Sequence, residues 1–303
     1  MTIIADSCVC CLGTNIDASP AVLMPFISHR VFDWAPIEIT PEWDLERYGI
    51  GAGTAYTVCN TLSCRDCSHI FLDMRFNNFE MSKLYRDYRE EEYLNLREKY
   101  EPGYKIRNEK LKSGYNYIDK IESFLLPHVK KPQSLKILDW GGDTGKNTPF
   151  YSECEFLYIY DISEKSPIGE AKRINKDEIK VVECDLFVCS NVLEHIPFPE
   201  DTLCEINSAM KCDAILYIEL PYENLVRQSE EQNELQNAYK KKNHWHEHVN
   251  FFTDTSIREL VHNSGFEVLE LRKLEISGET SNYVFQIVCR RKINTEDVCE
   301  QPH

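Results

Sequence analysis

The chain has 303 residues, of which 42% are hydrophobic and 28% are charged, a composition typical of a folded globular protein. This length accommodates one α/β domain and a smaller module. The 50 acidic and 34 basic residues give a formal net charge of -16, which disfavours binding to nucleic-acid phosphates or to an anionic membrane. We therefore expect a small-molecule substrate, with neither a nucleic acid nor a membrane as partner.

The N-terminal residues and the length of the apolar runs indicate the cellular location of the protein. Residues 1–20 lack the basic region and the apolar core of a secretory signal. No apolar run approaches the roughly 18 residues that a membrane-spanning helix needs. These features predict a cytoplasmic protein whose thiols are mostly reduced.

Composition divides the chain into three parts and a tail. Residues 1–75 are rich in cysteine and poor in helical patterns, which is typical of a small module that a metal ion or disulfides stabilise. Residues 76–130 repeat apolar and aromatic side chains at helical spacing, which predicts a helical linker interrupted at Pro102 and Gly103. This segment contains three tyrosines, Tyr85, Tyr88 and Tyr93, which are expected to pack against neighbouring side chains. The alternative is that they reach over the active site. Residues 131–293 form the predicted α/β domain, and residues 294–303 the tail.

Within the third part, short apolar runs alternate with helical stretches, the pattern of a parallel sheet built from βαβ units. The predicted strands are LKILDW, FLYIYDI, CDLFVCSN and AILYIELP. Two longer runs, FEVLELRKLEI and NYVFQIVCRRK, flank a predicted turn at residues 277–280 and should pair antiparallel at the sheet edge. The helix before them, TDTSIRELVHNSG, has Thr253 or Asp254 as N-cap and Gly265 as its stop.

Polar and glycine residues follow three of these strands. The first strand runs into the turn Asp139-Trp140-Gly141-Gly142-Asp143-Thr144-Gly145, after which a helix is predicted. The second ends in Asp161, at about the 20-residue offset where an acid meets ribose hydroxyls. The CDLFVCSN strand continues into NVLEHIP. These are the ends at which open α/β sheets bind ligands.

This arrangement resembles the core of class I S-adenosylmethionine-dependent methyltransferases over residues 134–292. The resemblance implies a Rossmann-like α/β fold with a seven-stranded sheet. It places residues 191–194 beside the sulfonium of the cofactor, with a structural role as the alternative for Glu194 and for His195. It also implies contacts to S-adenosylmethionine from eight residues, Asp139, Gly141, Gly142, Gly145, Asp161, Ile162, Asn191 and Leu193.

Two departures from that family pattern stand out. Asp143 occupies the place of the middle glycine, and the stretch from Asp161 to Asp185 is short, which predicts one shortened βα unit. Adenine contacts are expected near residues 171–176. NAD is the alternative cofactor, disfavoured because the turn is not G-x-G-x-x-G and dehydrogenases lack the closing antiparallel pair.

Two C-x-x-C pairs in the first part suggest a metal site. Cys8, Cys11, Cys64 and Cys67 would supply four thiolates, the ligand set of a closed, structural zinc site. Buried free cysteines are the alternative, and Cys10 or Cys59 could replace one of the four ligands.

The segment His244-Trp245-His246-Glu247-His248-Val249-Asn250 is the chemically richest stretch. Histidines beside a carboxylate are suited to general base catalysis near neutral pH. With the cysteine module and the methyltransferase core, the segment resembles that of sugar C-methyltransferases, with Trp245 replacing a tyrosine. The resemblance implies that Glu247 and His248 deprotonate the substrate, and His246 completes the predicted catalytic set. A purely structural role and a three-histidine metal site are the alternatives.

We therefore expect methyl transfer from S-adenosylmethionine to a carbon or oxygen of a small polar acceptor, a sugar or nucleotide-linked sugar. The alternative is a catalytically silent methyltransferase-like scaffold that binds a protein partner through its cysteine module. Both share the same fold, so cofactor binding distinguishes them.

Overall fold

The computed structural model describes residues 2–39, 53–111, 116–163, 165–276 and 282–292. The predicted turn at residues 277–280 and the predicted tail at residues 294–303 lie outside the described residues. Among the described helices, none is long and apolar enough to cross a membrane.

The cysteine-rich part is built mainly of short strands. In chain order its elements are β1 (Ile3–Ile4), β2 (Ile16–Leu23), α1 (Pro25–Phe32), β3 (Ile37–Ile39), β4 (Gly53–Ala55), β5 (Val58–Cys64), β6 (Ile70–Leu72) and β7 (Met74–Arg75). Helix α1 begins with a proline at its first position, where no backbone N–H is needed. It ends at Asp33, which adopts the left-handed conformation with φ 58°.

Four helices form the second part: α2 (Asn78–Tyr85), α3 (Glu91–Tyr100), α4 (Tyr104–Leu111) and α5 (Ile118–Leu125). The predicted interruption at Pro102 and Gly103 lies between α3 and α4 and is confirmed. A second interruption, between α2 and α3, was not predicted. Asp87 and Arg89 there have φ values of 54° and 63°, which a right-handed helix cannot contain.

The third part contains the large sheet and its helices. Its elements are β8 (Lys136–Trp140), β9 (Phe156–Tyr160), β10 (Lys172–Arg173), α6 (Lys176–Ile179), β11 (Leu186–Ser190), α7 (Pro199–Ala209), β12 (Ile215–Pro221), α8 (Asn224–Glu231), β13 (His244–Trp245), β14 (Asn250–Phe251), α9 (Asp254–Asn263), β15 (Phe266–Ile276) and β16 (Asn282–Arg291). Short 3-10 helices span Pro132–Ser134 and Leu235–Lys241. Thr253 caps α9 by accepting a hydrogen bond from the Ser256 N–H, in agreement with one of the two predicted caps.

Seven strands form the sheet, in the order β10-β9-β8-β11-β12-β16-β15. The strands from β10 to β12 are parallel, whereas β16 is antiparallel to β12 and β15 is antiparallel to β16. The predicted α/β sheet and its antiparallel edge pair are therefore confirmed. The parallel order brings the carboxyl ends of β9, β8 and β11 side by side, where ligands of such sheets bind.

The connections on either side of β9 differ from regular βα units. The helix predicted after the glycine turn does not form, since residues 141–155 consist of turns. Gly145 and Phe150 have φ values of 83° and 60°, and Pro149 lacks a backbone N–H, so a continuous helix is excluded. The predicted shortened unit is present as the two-residue strand β10 and the four-residue helix α6.

A second sheet joins the first and third parts of the chain. Its strand order is β13-β2-β5-β6-β14, so strands from the two ends of the histidine segment form both of its edges. Strand β13 pairs parallel with β2, and β14 pairs antiparallel with β6. Trp245 is fully buried, and its indole N–H donates to Thr61 Oγ1 at 2.8 Å. The cysteine-rich part is thus packed directly against the segment predicted to be catalytic.

Candidate active site

The glycine turn after β8 surrounds a buried carboxylate. Asp139 is 5% exposed, and its Oδ2 accepts a hydrogen bond from Thr148 Oγ1 at 2.5 Å. Burial raises the pKa of Asp139 to about 7, although the bond from Thr148 opposes this. A Cβ on Gly142 would lie 2.6 Å from the Asp139 carboxyl carbon, so the backbone passes where no side chain fits.

The other two glycines of the turn have positive φ values, 80° at Gly141 and 83° at Gly145. A side chain at Gly141 would collide with Val192, and one at Gly145 with Ile159. The turn is therefore packed closely against residues following β11 and in β9, and glycine is required at both positions for conformation as well as space.

Asp161 lies just after β9 and faces this turn. Its Oδ2 accepts from the Asp143 N–H at 2.8 Å, and its Oδ1 accepts from the Ser163 N–H at 2.6 Å. Each carboxylate oxygen retains a further lone pair for a hydroxyl donor. The neighbouring Ile162 is 63% exposed, an apolar surface beside the acid where a flat ring can pack.

The loop after β11 carries the remaining predicted cofactor residues. Asn191 has φ 54°, and its N–H donates to the Glu219 carbonyl in β12 at 2.9 Å. Leu193 is fully buried, so its side chain belongs to the core rather than to an open surface. The structure thus gathers the predicted residues at three adjacent strand ends, with Leu193 facing inward.

The region where adenine contacts were expected contains a cation. Arg173 Nη1 donates to the Asp161 carbonyl at 3.1 Å, and Nη2 donates to the Asp143 carbonyl at 3.5 Å. The guanidinium therefore links the short β10 strand to both the turn and the second acid. No spacing rule in the sequence indicates this role for Arg173.

His248 forms the centre of the histidine segment. Its Nδ1–H donates to Glu223 Oε1 at 2.7 Å, which leaves Nε2 as the second ring nitrogen. Burial lowers the pKa of His248, but the bond to Glu223 and the charges of Glu194, Glu223 and Glu247 together raise it to about 9. A neutral His248 would therefore be a strong base.

Glu247 is held in a buried chain of charges. Arg97 Nη1 donates to Glu247 Oε2 at 2.7 Å, and Arg97 Nε donates to Glu101 Oε2 at 3.3 Å. His246 Nδ1 lies 3.3 Å from Glu101 Oε1 at the far end of this chain. Burial acts to raise the pKa of Glu247, but Arg97 lowers it to about 2. Glu247 is thus a fixed anion rather than a proton acceptor near neutral pH.

Glu194 and His195, expected to be structural, lie against His248. One polar atom from each of the three side chains falls within 4.8 Å of the others, and the two imidazole centroids are 4.6 Å apart. His195 Nδ1 lies 3.1 Å from the Tyr85 hydroxyl. Tyr85 therefore contacts the group formed by Glu194, His195 and His248, which agrees with the alternative that it reaches the predicted active site.

Among the described residues, the groups spaced to hold a metal are this trio and the four cysteines, not the three histidines of the segment together. Cys8 and Cys67 have their sulfurs 3.5 Å apart, as do Cys11 and Cys64. This distance is longer than a disulfide bond, and it is close to the roughly 3.8 Å that separates two sulfurs bound to the same tetrahedral zinc ion. Neither Cys10 nor Cys59 belongs to the group.

A buried cation that the sequence did not indicate ties these regions together. Arg75 is fully buried and donates to the Pro197 carbonyl at 2.9 Å, to the Leu72 carbonyl at 3.1 Å and to Asn250 Oδ1 at 2.5 Å. Asn250 Nδ2 in turn donates to the Leu193 carbonyl at 2.9 Å and to the Ile196 carbonyl at 2.7 Å. The pair fixes the loop after β11 against β14.

A family model described as a methyltransferase domain matches residues 107–271. No curated protein matches the chain.

Solved structures similar to the chain include three methyltransferases. One is a S-adenosylmethionine-dependent methyltransferase from Methanosarcina mazei, with 15% identity, TM-score 0.42, and coverage of 56% of this chain and 98% of that one. Magnesium protoporphyrin IX methyltransferase from Synechocystis, with S-adenosylhomocysteine bound, has 16% identity, TM-score 0.41, and coverage of 58% and 82%. A putative methyltransferase from Bacillus halodurans has 10% identity, TM-score 0.43, and coverage of 58% and 100%.

The family model spans more than half of the chain and includes the glycine turn, Asp161 and the loop after β11. The chain therefore belongs to the methyltransferase domain family and is a methyltransferase.

Proposed function

We propose that this enzyme methylates a carbon or oxygen of a small polar acceptor, a sugar or nucleotide-linked sugar. The observation that carries the proposal is the position of His248, between the carboxylates of Glu223 and Glu194 and next to the loop that follows β11. The resemblance of the Glu247-His248 segment to sugar C-methyltransferases supports the acceptor class.

The proposed cofactor is S-adenosylmethionine. When bound, it would supply a methyl group on a sulfonium, which is already an electrophile. The proposed cofactor residues are Asp139, Gly141, Gly142, Gly145, Asp161, Ile162, Asn191 and Leu193. Of these, Asp161 would accept hydrogen bonds from ribose hydroxyls, and the glycines let the backbone approach closely. Leu193 would contribute only by packing beneath the loop.

His248 is the proposed base. Its Nε2 would take the proton from the acceptor atom that receives the methyl group. Glu223, bound to Nδ1, orients the ring and stabilises the imidazolium that forms. Glu247 supplies negative charge, and His246 acts at a distance through Glu101 and Arg97.

A His248→Ala variant tests this assignment. We expect turnover with a panel of nucleotide-linked sugars to fall at least about a thousandfold, with S-adenosylmethionine affinity by calorimetry changed less than about threefold. His244→Ala is a matched control, since His244 belongs to the same segment and is exposed. Full activity in His248→Ala would place the base elsewhere. Absence of cofactor binding to the unaltered protein would instead favour the scaffold that binds a protein partner through its cysteine module.

We also propose that Cys8, Cys11, Cys64 and Cys67 hold one structural zinc ion. The sulfur spacing, the burial of three of the four thiols and the bond from the Cys10 N–H to Cys8 Sγ at 3.5 Å support this ligand set. With all four positions taken by protein, zinc would stabilise the fold and not activate water. Elemental analysis should give one zinc per chain, lost in Cys64→Ser and retained in Cys204→Ser, whose thiol is exposed. A folded wild type without metal would refute the site.

A further inference from the structure

Glu194 is a buried carboxylate whose surroundings do not balance its charge. Its side chain is 1% exposed, and Oε2 has no hydrogen-bond partner among the described residues. Oε1 lies 3.8 Å from His195 Nε2, too far for a hydrogen bond. Burying such a group is costly unless a nearby positive charge compensates it.

The backbone holds Glu194 beside the histidine segment. Its carbonyl accepts hydrogen bonds from the Val249 N–H at 2.7 Å and the Asn250 N–H at 3.1 Å. These two residues directly follow His248. These two bonds hold the backbone of Glu194 next to the residues that follow His248, and so keep its carboxylate close to the His248 imidazole.

We propose that Glu194 is a positioning residue that stabilises the protonated imidazole of His248, acting through that ring without contacting the acceptor. This inference rests on the proposed function, in which His248 is the base. It assigns a role toward the base to a glutamate that the family resemblance placed beside the cofactor or left as structural.

The charges around His248 support this role. Glu223 contacts its Nδ1, and the ring of His195 packs edge-on against it. Glu247 adjoins His248 in the chain, but its carboxylate is ion-paired with Arg97. Burial and the charge of His248 lower the pKa of His195 to about 3, so that neighbour is neutral. Burial raises the pKa of Glu194 to about 7, and His248 opposes this increase. Glu194 therefore has no cationic partner apart from His248 within this group.

A Glu194→Gln variant removes the charge and keeps the shape. Without the anion, the imidazolium is less stable, so neutral His248 appears at lower pH. We expect the rising limb of kcat/KM against pH to move down by about one to two units. Because a weaker base reacts more slowly, the plateau should fall about threefold to tenfold. Glu194→Asp should give a smaller shift. Glu205→Gln should give none, because Glu205 lies partly exposed on α7, where it pairs with Lys176.

The pH profiles and the metal content of these variants distinguish a positioning role of Glu194 from a structural role and from metal binding. A reduced plateau with an unmoved pH limb in both Glu194 variants would mean that Glu194 only supports the fold. Should Glu194→Gln fail to fold, Glu194→Asp carries the same pH test. Activity in His248→Ala would overturn the proposed function itself, whatever the Glu194 result. Elemental analysis of wild type showing a second metal, lost in Glu194→Gln, would make Glu194 a metal ligand and overturn the inference.

Discussion

Arg75 offers a direct test of how the cysteine-rich part supports the site. We consider Arg75→Met, which keeps the apolar stem and removes every donor. In the structure, Arg75 donates to the Pro197 carbonyl at 2.9 Å and to Asn250 Oδ1 at 2.5 Å. It also donates, at the longer distances of 3.1 and 3.3 Å, to the carbonyls of Leu72 and Val249. Burial lowers the pKa of Arg75 to about 10, so the group remains a cation near neutral pH.

The magnitude follows from these bonds. Each buried acceptor left without its donor costs about 1–3 kcal/mol, so the two principal losses total about 2–6 kcal/mol. Removing a buried cation returns part of its desolvation cost. We therefore expect Arg75→Met to lower the free energy of unfolding by about 2–4 kcal/mol, and the thermal midpoint by about 5 °C or more.

Thermal and urea denaturation of the purified protein measure this loss. Arg258→Met is the matched control, because Arg258 pairs with Asp254 at 2.6 Å on a partly exposed helix surface. Such a surface pair contributes less than about 1 kcal/mol. Equal midpoints for the two variants would show that the Arg75 network does not hold the parts of the chain together.

Three further predictions concern the cofactor site and pH. Gly142→Ala should raise the calorimetric Kd for S-adenosylmethionine at least about tenfold, because its methyl would overlap the Asp139 carboxylate; unchanged affinity would contradict the close approach. Asp161→Ala should weaken the same binding by about 2–3 kcal/mol through lost ribose bonds, and equal Kd values would exclude that contact. Burial acts to raise the pKa of Asp185, but bonds from Lys211, the Lys136 N–H and Lys130 lower it to about 2. A carboxyl whose pKa is lower in the folded protein than in the unfolded chain, where it is near 4, stabilises the fold at higher pH. Between about pH 4 and pH 2 the free energy of unfolding should therefore fall by about 1–2 kcal/mol more in wild type than in Asp185→Asn. An equal pH dependence of the two proteins would refute this.

Local patterns predicted the sheet accurately. Continuous apolar runs marked β8, β9, β11 and β12, and their length together with the following turns distinguished them from helices. The glycine turn was recognisable because its residue types are dictated by backbone conformation. The absence of a helix after the turn was not predicted, although Pro149 is a sequence signal against one. The left-handed conformation of Phe150, by contrast, cannot be read from its residue type.

The site was predictable only in part. His248 and Glu247 are adjacent in sequence to other histidines, so the segment stood out. Their partners did not, because Arg97 is about 150 residues away and an arginine in an amphipathic helix is ordinarily a surface charge. Glu223 and Glu194 likewise acquire their roles from burial and proximity, which residue spacing does not report.

The second sheet has a consequence for synthesis of the chain. Strands β2 and β6 reach their outer partners only when the histidine segment has been made, roughly two hundred residues later. During translation the cysteine-rich part therefore emerges with both sheet edges open, and unpaired edges invite association with other chains. Completing the histidine segment closes these edges, so the same short strands that place His248 also end the period in which the nascent protein is prone to aggregate.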